Sequence, residues 1–590
     1  MCRFLLVSLN LDAILGEVTI RQRRKKLDQM THGNGLEDAY TATLTRLRSQ
    51  KGYRSVLGLK VLMWVLHSER PLRAQELCHA LGVEIGSTGL DPENVPALRT
   101  LVASCLGLAT VEASSLTVRL VHFTIQEYLS RNPTLFHSPH STIAEVCLTY
   151  LNFGCVRDLS PTLHSAPETM PLLEYASIYW GRHARKEVTE NIKILALRLL
   201  DRFDEHISAR LLLLHNDRDN AGGPYDRGWY GPIGFIGLHG AAYLGIPEIV
   251  STILKMKEWD VNAGDYMGIT ALIWASARGH EEVVKVLLDQ EDINPNQADT
   301  QYGQTPLLWA AKSERGGVVK VLLEREDVNP NQADPESGHT PLTWAAESGR
   351  KEVVKMLLEQ GDVNPNQADT RFGRTPLSWA SYRGHGEVVK ILLQRQDVDP
   401  NQADTKYGQT PLTWAAINGH KGLVKMLLER EGVNPNQADI RFGRTPLSWA
   451  AMSGHEELVK MLLEREDVNP NQADTRLGRT PLLWASSRGR GEVVKILLQR
   501  EDIDPNQADT KYGWAPLLWA ADNGDELVVQ ILLQRSDIHT AIPDNQNQTP
   551  LSLALSKGHH GVAKILREWD NANSDPVDCS GRSSASGPRD

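Results

Sequence analysis

The chain is poor in cysteine: Cys2, Cys78, Cys105, Cys147, Cys155 and Cys579 are its six, no two in a C-x-x-C spacing. That distribution argues against a disulfide framework and a structural zinc site and fits a reducing, intracellular setting. Apolar runs such as Leu211–Leu214 fall far short of the roughly 20 residues that a bilayer-spanning helix needs. The run from Phe4 to Val7 is cut short by Asn10 and Asp12 with no small-residue cleavage site after it, so it reads as core and not as a targeting segment. Positive charge is not in excess either, and a net charge of -10 argues against a nucleic-acid partner for the whole chain. Catalytic signatures are missing as well. There is no G-x-S-x-G elbow, and His280-Glu281-Glu282 and His455-Glu456-Glu457 begin an H-E-x-x-H pattern whose second ligand is replaced by Val284 or Val459. No G-x-x-x-x-G-K-[ST] occurs, so no Gly-rich loop is present to cradle phosphates. We expect no catalytic residue, cofactor, metal or small-molecule substrate.

What the chain has is a ruler. Trp274, Trp309, Trp344, Trp379, Trp414, Trp449, Trp484 and Trp519 follow one another at intervals of 35 positions, each inside a variant of G-x-T-P-L-x-W-A and each followed by a G-H-x-x-V-V-K-x-L-L run such as Gly279–Leu288. In Thr410-Pro411 the threonine can cap a helix and the proline takes the first helical position, where its missing N–H costs nothing. Gly419 suits the left-handed residue after a helix, and Val353, Val354, Leu357 and Leu358 form the apolar stripe of a second helix. The remainder, Asn364 to Gly373, is rich in turn formers and reads as a projecting finger.

T-P-L-x-x-A with G-H and V-V-x-x-L-L resembles the ankyrin pattern, with a finger about two residues longer than the usual unit of about 33. Histidines such as His280, His385, His420 and His455 are then expected to be structural residues at helix starts. About ten units fit between residues 231 and 570. Stacked units complete each other's cores, and the ends should be caps with polar outer faces. In the first unit Gly240 stands in the Trp position beside Ile236-Gly237-Leu238-His239; in the last, Leu553 replaces Trp and Arg567 replaces a leucine. Glu314 occupies the helix-ending glycine position of the third unit, followed by Gly316-Gly317, so a shifted turn is expected there.

Upstream, a helix is expected over Asp12–Gln29, whose cluster of Arg21, Arg23, Arg24, Lys25 and Lys26 reads as a solvated face. Helices over Val56–Leu66, Leu72–Leu81 and Val95–Leu106, then strands over Leu108–Glu112 and Thr117–His122, describe a winged helix. Its third helix offers only Arg99 to a DNA groove, so a packing role is favoured. Further helices are expected over Ile143–Asn152, Leu172–Ala184 and Asn191–His215, with a linker over Asn216–Trp229. Phe4 to Tyr40, Lys60 to Leu72 and Val118 to Leu129 look like fungal NACHT-ankyrin proteins, relatives of the NOD-like receptors. In that family a histidine after the last wing strand senses bound nucleotide, and His122 is the matching position. Without Walker motifs the chain is expected to begin within the C-terminal end of a NACHT domain, and His122 to be a hydrogen-bonded structural histidine.

Helical phase puts Trp414 opposite Ala415 and Ala416 and near Ile417 and Asn418, the side that lines the concave face of an ankyrin stack. Framework letters repeat almost verbatim, while the pairs one turn on differ: Tyr382 and Arg383, Ile417 and Asn418, Met452 and Ser453. Finger tips differ too, as in Arg371-Phe372, Lys406-Tyr407 and Arg441-Phe442. Trp344, Trp379, Trp414, Trp449 and Trp484, together with these groove and tip residues, are the candidate contacts with a protein partner, since aromatic and arginine side chains dominate interfaces. Large aromatics also bury most of their surface, so packing of each Trp against the neighbouring unit competes with a groove floor of exposed rings.

The expected fold is mainly α: a NACHT remnant over 1–50, a winged helix over 51–131, a helical linker domain over 132–228, an ankyrin solenoid over 229–570 and a disordered tail over 571–590. The expected function is a cytoplasmic, non-catalytic interaction scaffold in a NOD-like receptor-type setting, with the nucleus left open as a location. Two alternatives are a regulatory half of an ATP-dependent switch completed by another chain, and a winged-helix DNA-binding regulator.

Overall fold

The computed structural model describes residues 18–25, 36–219, 232–256 and 259–573. Contacts cluster into two compact bodies, Met1–Trp309 and Ala310–Asp590. Most of the expected Asp12–Gln29 helix, the 216–229 linker and the 571–590 tail lie outside the described residues, although 20–25 are helical.

In the first body, α1 (Leu36–Arg48) is followed by α2 (Arg54–His67), α3 (Ala74–Gly82), α4 (Leu98–Ser104) and an antiparallel pair, β1 (Ala109–Glu112) and β2 (Thr117–Leu120). Ala109 faces Leu120 and Glu112 faces Thr117 across the pair. The segment before α3 joins the wing, because Val118 N–H donates to Leu72 O at 2.9 Å and Ala74 N–H to Leu116 O at 2.8 Å. The third helix is shorter than expected for a local reason. Pro96 holds Val95 at ψ 110, out of the helical region as a residue before proline must be, and left-handed Leu106 and Gly107 close the other end.

α5 (Phe123–Ser130), α6 (Pro139–Leu151), α7 (Leu173–Ala184), α8 (Glu190–Leu200) and α9 (Ile207–Asp219) follow. The single helix expected over Asn191–His215 is thus two, split by a 3-10 turn at Phe203–Glu205. The break drives Phe203, fully buried, against Phe235 with ring centroids 5.9 Å apart. That contact explains the odd first repeat. A Cβ on Gly240 would stand 2.6 Å from the Phe203 ring, and one on Gly237 would overlap the carbonyl of Leu200. The array therefore does not start on an open face with a polar cap; α8 and Phe203 cover it, and a tryptophan has no room there.

In the second body each repeat pairs an inner and an outer helix, as in Pro376–Arg383 and Gly386–Gln394. Thr375 caps the first by accepting from Ser378 N–H at 3.1 Å, with Pro376 at the first helical position, and Gly384 ends it at φ +84. Val388, Val389, Leu392 and Leu393 of the outer helix are buried. The shifted turn expected at Glu314 is absent. Glu314 takes the left-handed conformation itself, at φ 58, and Arg315 N–H reaches Ala310 O at 2.9 Å just as His385 N–H reaches Ala380 O. The stacked neighbours over-determine the turn, and a non-glycine residue accepts about 1 kcal/mol of strain. Among the described residues no helix is long and apolar enough to cross a membrane.

Candidate protein-binding surface

Each finger is a tight turn organised by one aspartate. Asp404 N–H donates to Gln409 O at 3.0 Å, its Oδ1 accepts from Tyr407 N–H at 2.6 Å, and its Oδ2 accepts from Trp414 Nε1–H at 3.0 Å. The bond from the indole to an aspartate ten residues earlier recurs at Trp309, Trp344, Trp379, Trp449, Trp484 and Trp519, from 2.8 to 3.3 Å. A buried carboxylate costs several kcal/mol unless such donors satisfy it, so the Trp ring fastens the finger to the inner helix.

From Trp344 to Trp519 several neighbouring Trp rings are separated by another side chain. At several tips the residue after the glycine is inserted between two of them. The Arg374 guanidinium lies 4.6 Å from the Trp379 ring and 4.0 Å from the Trp414 ring. Arg444 sits the same way between Trp449 and Trp484, and Arg479 between Trp484 and Trp519. His339 fills the slot between Trp344 and Trp379 at 4.9 and 5.4 Å, and Trp514 stands 4.6 Å from Trp519. Burial pulls the pKa of Arg374 below its usual value, and the charge of Asp404 pushes back. Such desolvated cation–π pairs contribute up to about 2 kcal/mol each.

Other repeated letters are also spent on joining repeats. Asn401 donates from Nδ2 to Gly432 O at 2.6 Å and accepts from Asn434 N–H at 2.8 Å; Asn366, Asn436 and Asn506 do the same one repeat apart. His385 and His455, at the start of their outer helices, bond the carbonyls of Glu347 and Ile417 in the preceding repeat at 2.9 and 3.2 Å. Arg395 and Arg465 reach back to Leu358 O and Leu428 O while each pairs with its own Asp397 or Asp467.

The candidate contacts then divide. Trp379, Trp414 and Trp484 are buried, at 5, 7 and 4% exposure, and Trp344 and Trp449 are half-buried. A floor of exposed tryptophan rings is therefore not what the structure forms. Tyr382 is half-buried with its ring 5.9 Å from Trp379 and 5.0 Å from Trp414. Arg383 is exposed and pairs with Glu347 at 2.6 Å. Ile417 and Met452 are half-buried, and exposed Asn418 donates to Trp414 O at 3.0 Å. At the tips Arg371, Lys406 and Arg441 are exposed and Phe372, Tyr407 and Phe442 half-buried. The structure brings these together across repeats: Lys406 lies 4.7 Å from the Phe372 ring and Arg441 5.5 Å from the Tyr407 ring.

Sequence reasoning missed the Asp–Trp pairs and the inserted Arg374, Arg444 and Arg479. Their signal was available, since an aspartate stands ten positions before seven of the eight tryptophans and the post-glycine position of those seven fingers holds Arg, Gln, His or Trp. His122, the matching position for a nucleotide sensor, caps α5: its Nδ1 accepts from Thr124 N–H at 3.3 Å and lies 2.8 Å from Thr124 Oγ1.

Residues 209–299, 238–334, 294–369, 362–439, 431–509 and 492–578 match the family described as ankyrin repeats (3 copies). Residues 47–139 match the one described as GPI inositol-deacylase, winged helix domain. No curated protein matches the chain.

Proposed function

Because the chain belongs to the ankyrin-repeat family, we propose that it is a non-catalytic protein-interaction scaffold whose contact surface is the groove and finger-tip row of residues 371–512. One observation carries this reading. The repeated residues are consumed in bonds between finger, helix and neighbouring repeat, while of the groove residues that differ between repeats Arg383 and Asn418 are exposed and Tyr382, Ile417 and Met452 half-buried, and the tip cations Arg371, Lys406 and Arg441 are exposed. Copying of the repeat has kept a rigid frame and diversified its surface.

The half-buried Trp344 and Trp449, with Tyr382, Ile417 and Met452, contribute ring edges and side-chain ends to the groove wall. The fully packed rings act behind it, by holding Tyr382 and the fingers in place. The winged helix at 47–139 serves as a packing platform for other domains, and the resemblance of 60–72 and 118–129 to NACHT-associated proteins supports a cytoplasmic, NOD-like receptor-type signalling setting. We take segments 1–50, 51–131, 132–228, 229–570 and 571–590 as its working parts.

The test uses the full chain. A protein partner captured from intact cells is purified and its affinity measured for the native chain and for a groove variant, Arg383→Ser with Asn418→Ser and Met452→Ser. The expected result is a loss of at least about tenfold with an unchanged melting curve. Equal affinity of both proteins would remove the groove from the binding site.

A further inference from the structure

We propose that the finger-tip row binds an extended segment of a partner protein bearing a carboxylate at every third residue. This rests on the scaffold reading and names the chemistry of the segment bound.

Five consecutive tips carry a cation at the same register position: Arg371, Lys406, Arg441, Arg476 and Lys511. All five are exposed, and none makes an ion pair among the described residues. The row has ends. The tip before it carries Glu336 and the tip after it Asn545-Gln546. The aspartates at the finger bases cannot neutralise it from outside, because Asp369, Asp404, Asp439, Asp474 and Asp509 are at most 3% exposed and already accept hydrogen bonds.

The cations are also held in place. Lys406, Arg441 and Arg476 each lie over the ring of the preceding finger, at 4.7, 5.5 and 5.7 Å. The fingers are joined by backbone bonds, including Lys406 N–H to Phe372 O at 3.2 Å and Thr510 N–H to Leu477 O at 2.9 Å. Side chains ordered beforehand lose less entropy when they meet a ligand. Exposed, ordered and unpaired positive charges at a regular interval select a regularly spaced anion.

The interval decides the ligand. Packed helices lie about 8 to 10 Å apart, and with one tip cation per repeat the row is expected to repeat at about that step. A polyproline II chain rises about 3.1 Å per residue with three residues per turn. Acidic side chains at every third position therefore fall on one face of such a segment, about one per repeat. In a β-strand the same spacing would alternate between faces. Single-stranded nucleic acid fits less well, since it needs free aromatic faces for its bases and the rings of Phe372, Tyr407 and Phe442 already carry cations.

The probe is a fluorescent peptide of five Asp-Pro-Pro units, compared by anisotropy with a peptide of the same composition whose aspartates are contiguous. The full chain should bind the periodic peptide at least about tenfold more tightly, with affinity falling as salt rises. Neutralising one tip at a time (K406Q, R441Q, R476Q) should weaken binding about twofold to fivefold each. The variant with all five tips changed to Gln should lose it while keeping the native melting curve. Equal affinity for both peptides, undiminished binding by that five-tip variant, or tighter binding of oligothymidylate would overturn the inference. If the chain ignores the periodic peptide yet the groove variant above still loses its protein partner, the acidic ligand is wrong and the scaffold reading stands.

Discussion

Trp414 provides the sharpest test of whether the tryptophan column is frame or contact surface. Its ring is 7% exposed, lies 4.0 Å from the Arg374 guanidinium and 5.0 Å from the Tyr382 ring, and donates from Nε1 to Asp404 at 3.0 Å. Truncating a buried Trp to Ala costs about 3 to 5 kcal/mol through lost burial and the cavity left behind. Asp404, 1% exposed, also loses one of its two side-chain donors, so the upper end, about 4 to 5 kcal/mol, is expected. Trp414→Phe separates the terms. It keeps most of the ring and removes the N–H, which leaves a buried carboxylate short of a donor at a cost of about 1.5 to 3 kcal/mol. In a solenoid such losses fall on one inter-repeat interface and weaken cooperativity there. Urea denaturation followed by circular dichroism should show a lower midpoint for Trp414→Phe and a split transition for Trp414→Ala. Hydrogen exchange should speed up in peptides covering 376–449. The reasoning fails if Trp414→Ala shifts stability by less than about 1 kcal/mol while abolishing affinity for a protein partner, because the ring would then be a contact and not a brace.

Three further outcomes follow from the same geometry. Asn401→Ala removes both bonds to the next repeat, at Gly432 and Asn434, and should cost about 1 to 2 kcal/mol by urea titration; no change would mean that the asparagine row is incidental. Glu314→Gly relieves a left-handed residue at φ 58 and gives up an exposed ion pair with Arg350; since exposed pairs contribute at most about 1 kcal/mol, the variant should melt at the same or a slightly higher temperature, and a clear drop would contradict the strain argument. Burial, with the neighbouring charge of His140, lowers the pKa of His183 to about 3 and of His67 to about 4. The unfolded chain, with histidines near 6.5, therefore binds more protons below that value. Stability from this cluster is fully present above about pH 6.5 and falls as pH drops through the interval towards 4. His183→Asn should flatten that part of a melting-temperature profile against pH, and an unaltered slope would refute it.

The legible parts of this chain are those in which a residue's own backbone chemistry decides the outcome. Thr410-Pro411 and Gly419 fixed where an inner helix starts and stops, and the wing turn fell where Ala113-Ser114-Ser115 placed it. Errors arose where a distant contact overruled a local rule. Glu314 was forced into a conformation that the sequence reserves for glycine, and the helix over 191–215 is broken at Phe203, whose ring occupies the space beside Gly240. At the candidate site, helical phase set Trp414 opposite the alanine face, but direction alone does not decide exposure, and the ring is buried.

Sequence by itself determined the period, the register of every helix pair and the positions free to vary, because these repeat every 35 residues and depend on short-range capping and turn chemistry. Only the tertiary structure decided what the tryptophans face. The partner that covers Trp414 is Arg374, forty residues earlier and one repeat away, and the partner that orients it is the Asp404 carboxylate at the base of a finger. Stacking delivers the cation from the neighbouring repeat, while the anion comes from the finger of the same unit, ten residues earlier; the sequence spaces these residues regularly, but only the packed array shows that they meet on one ring.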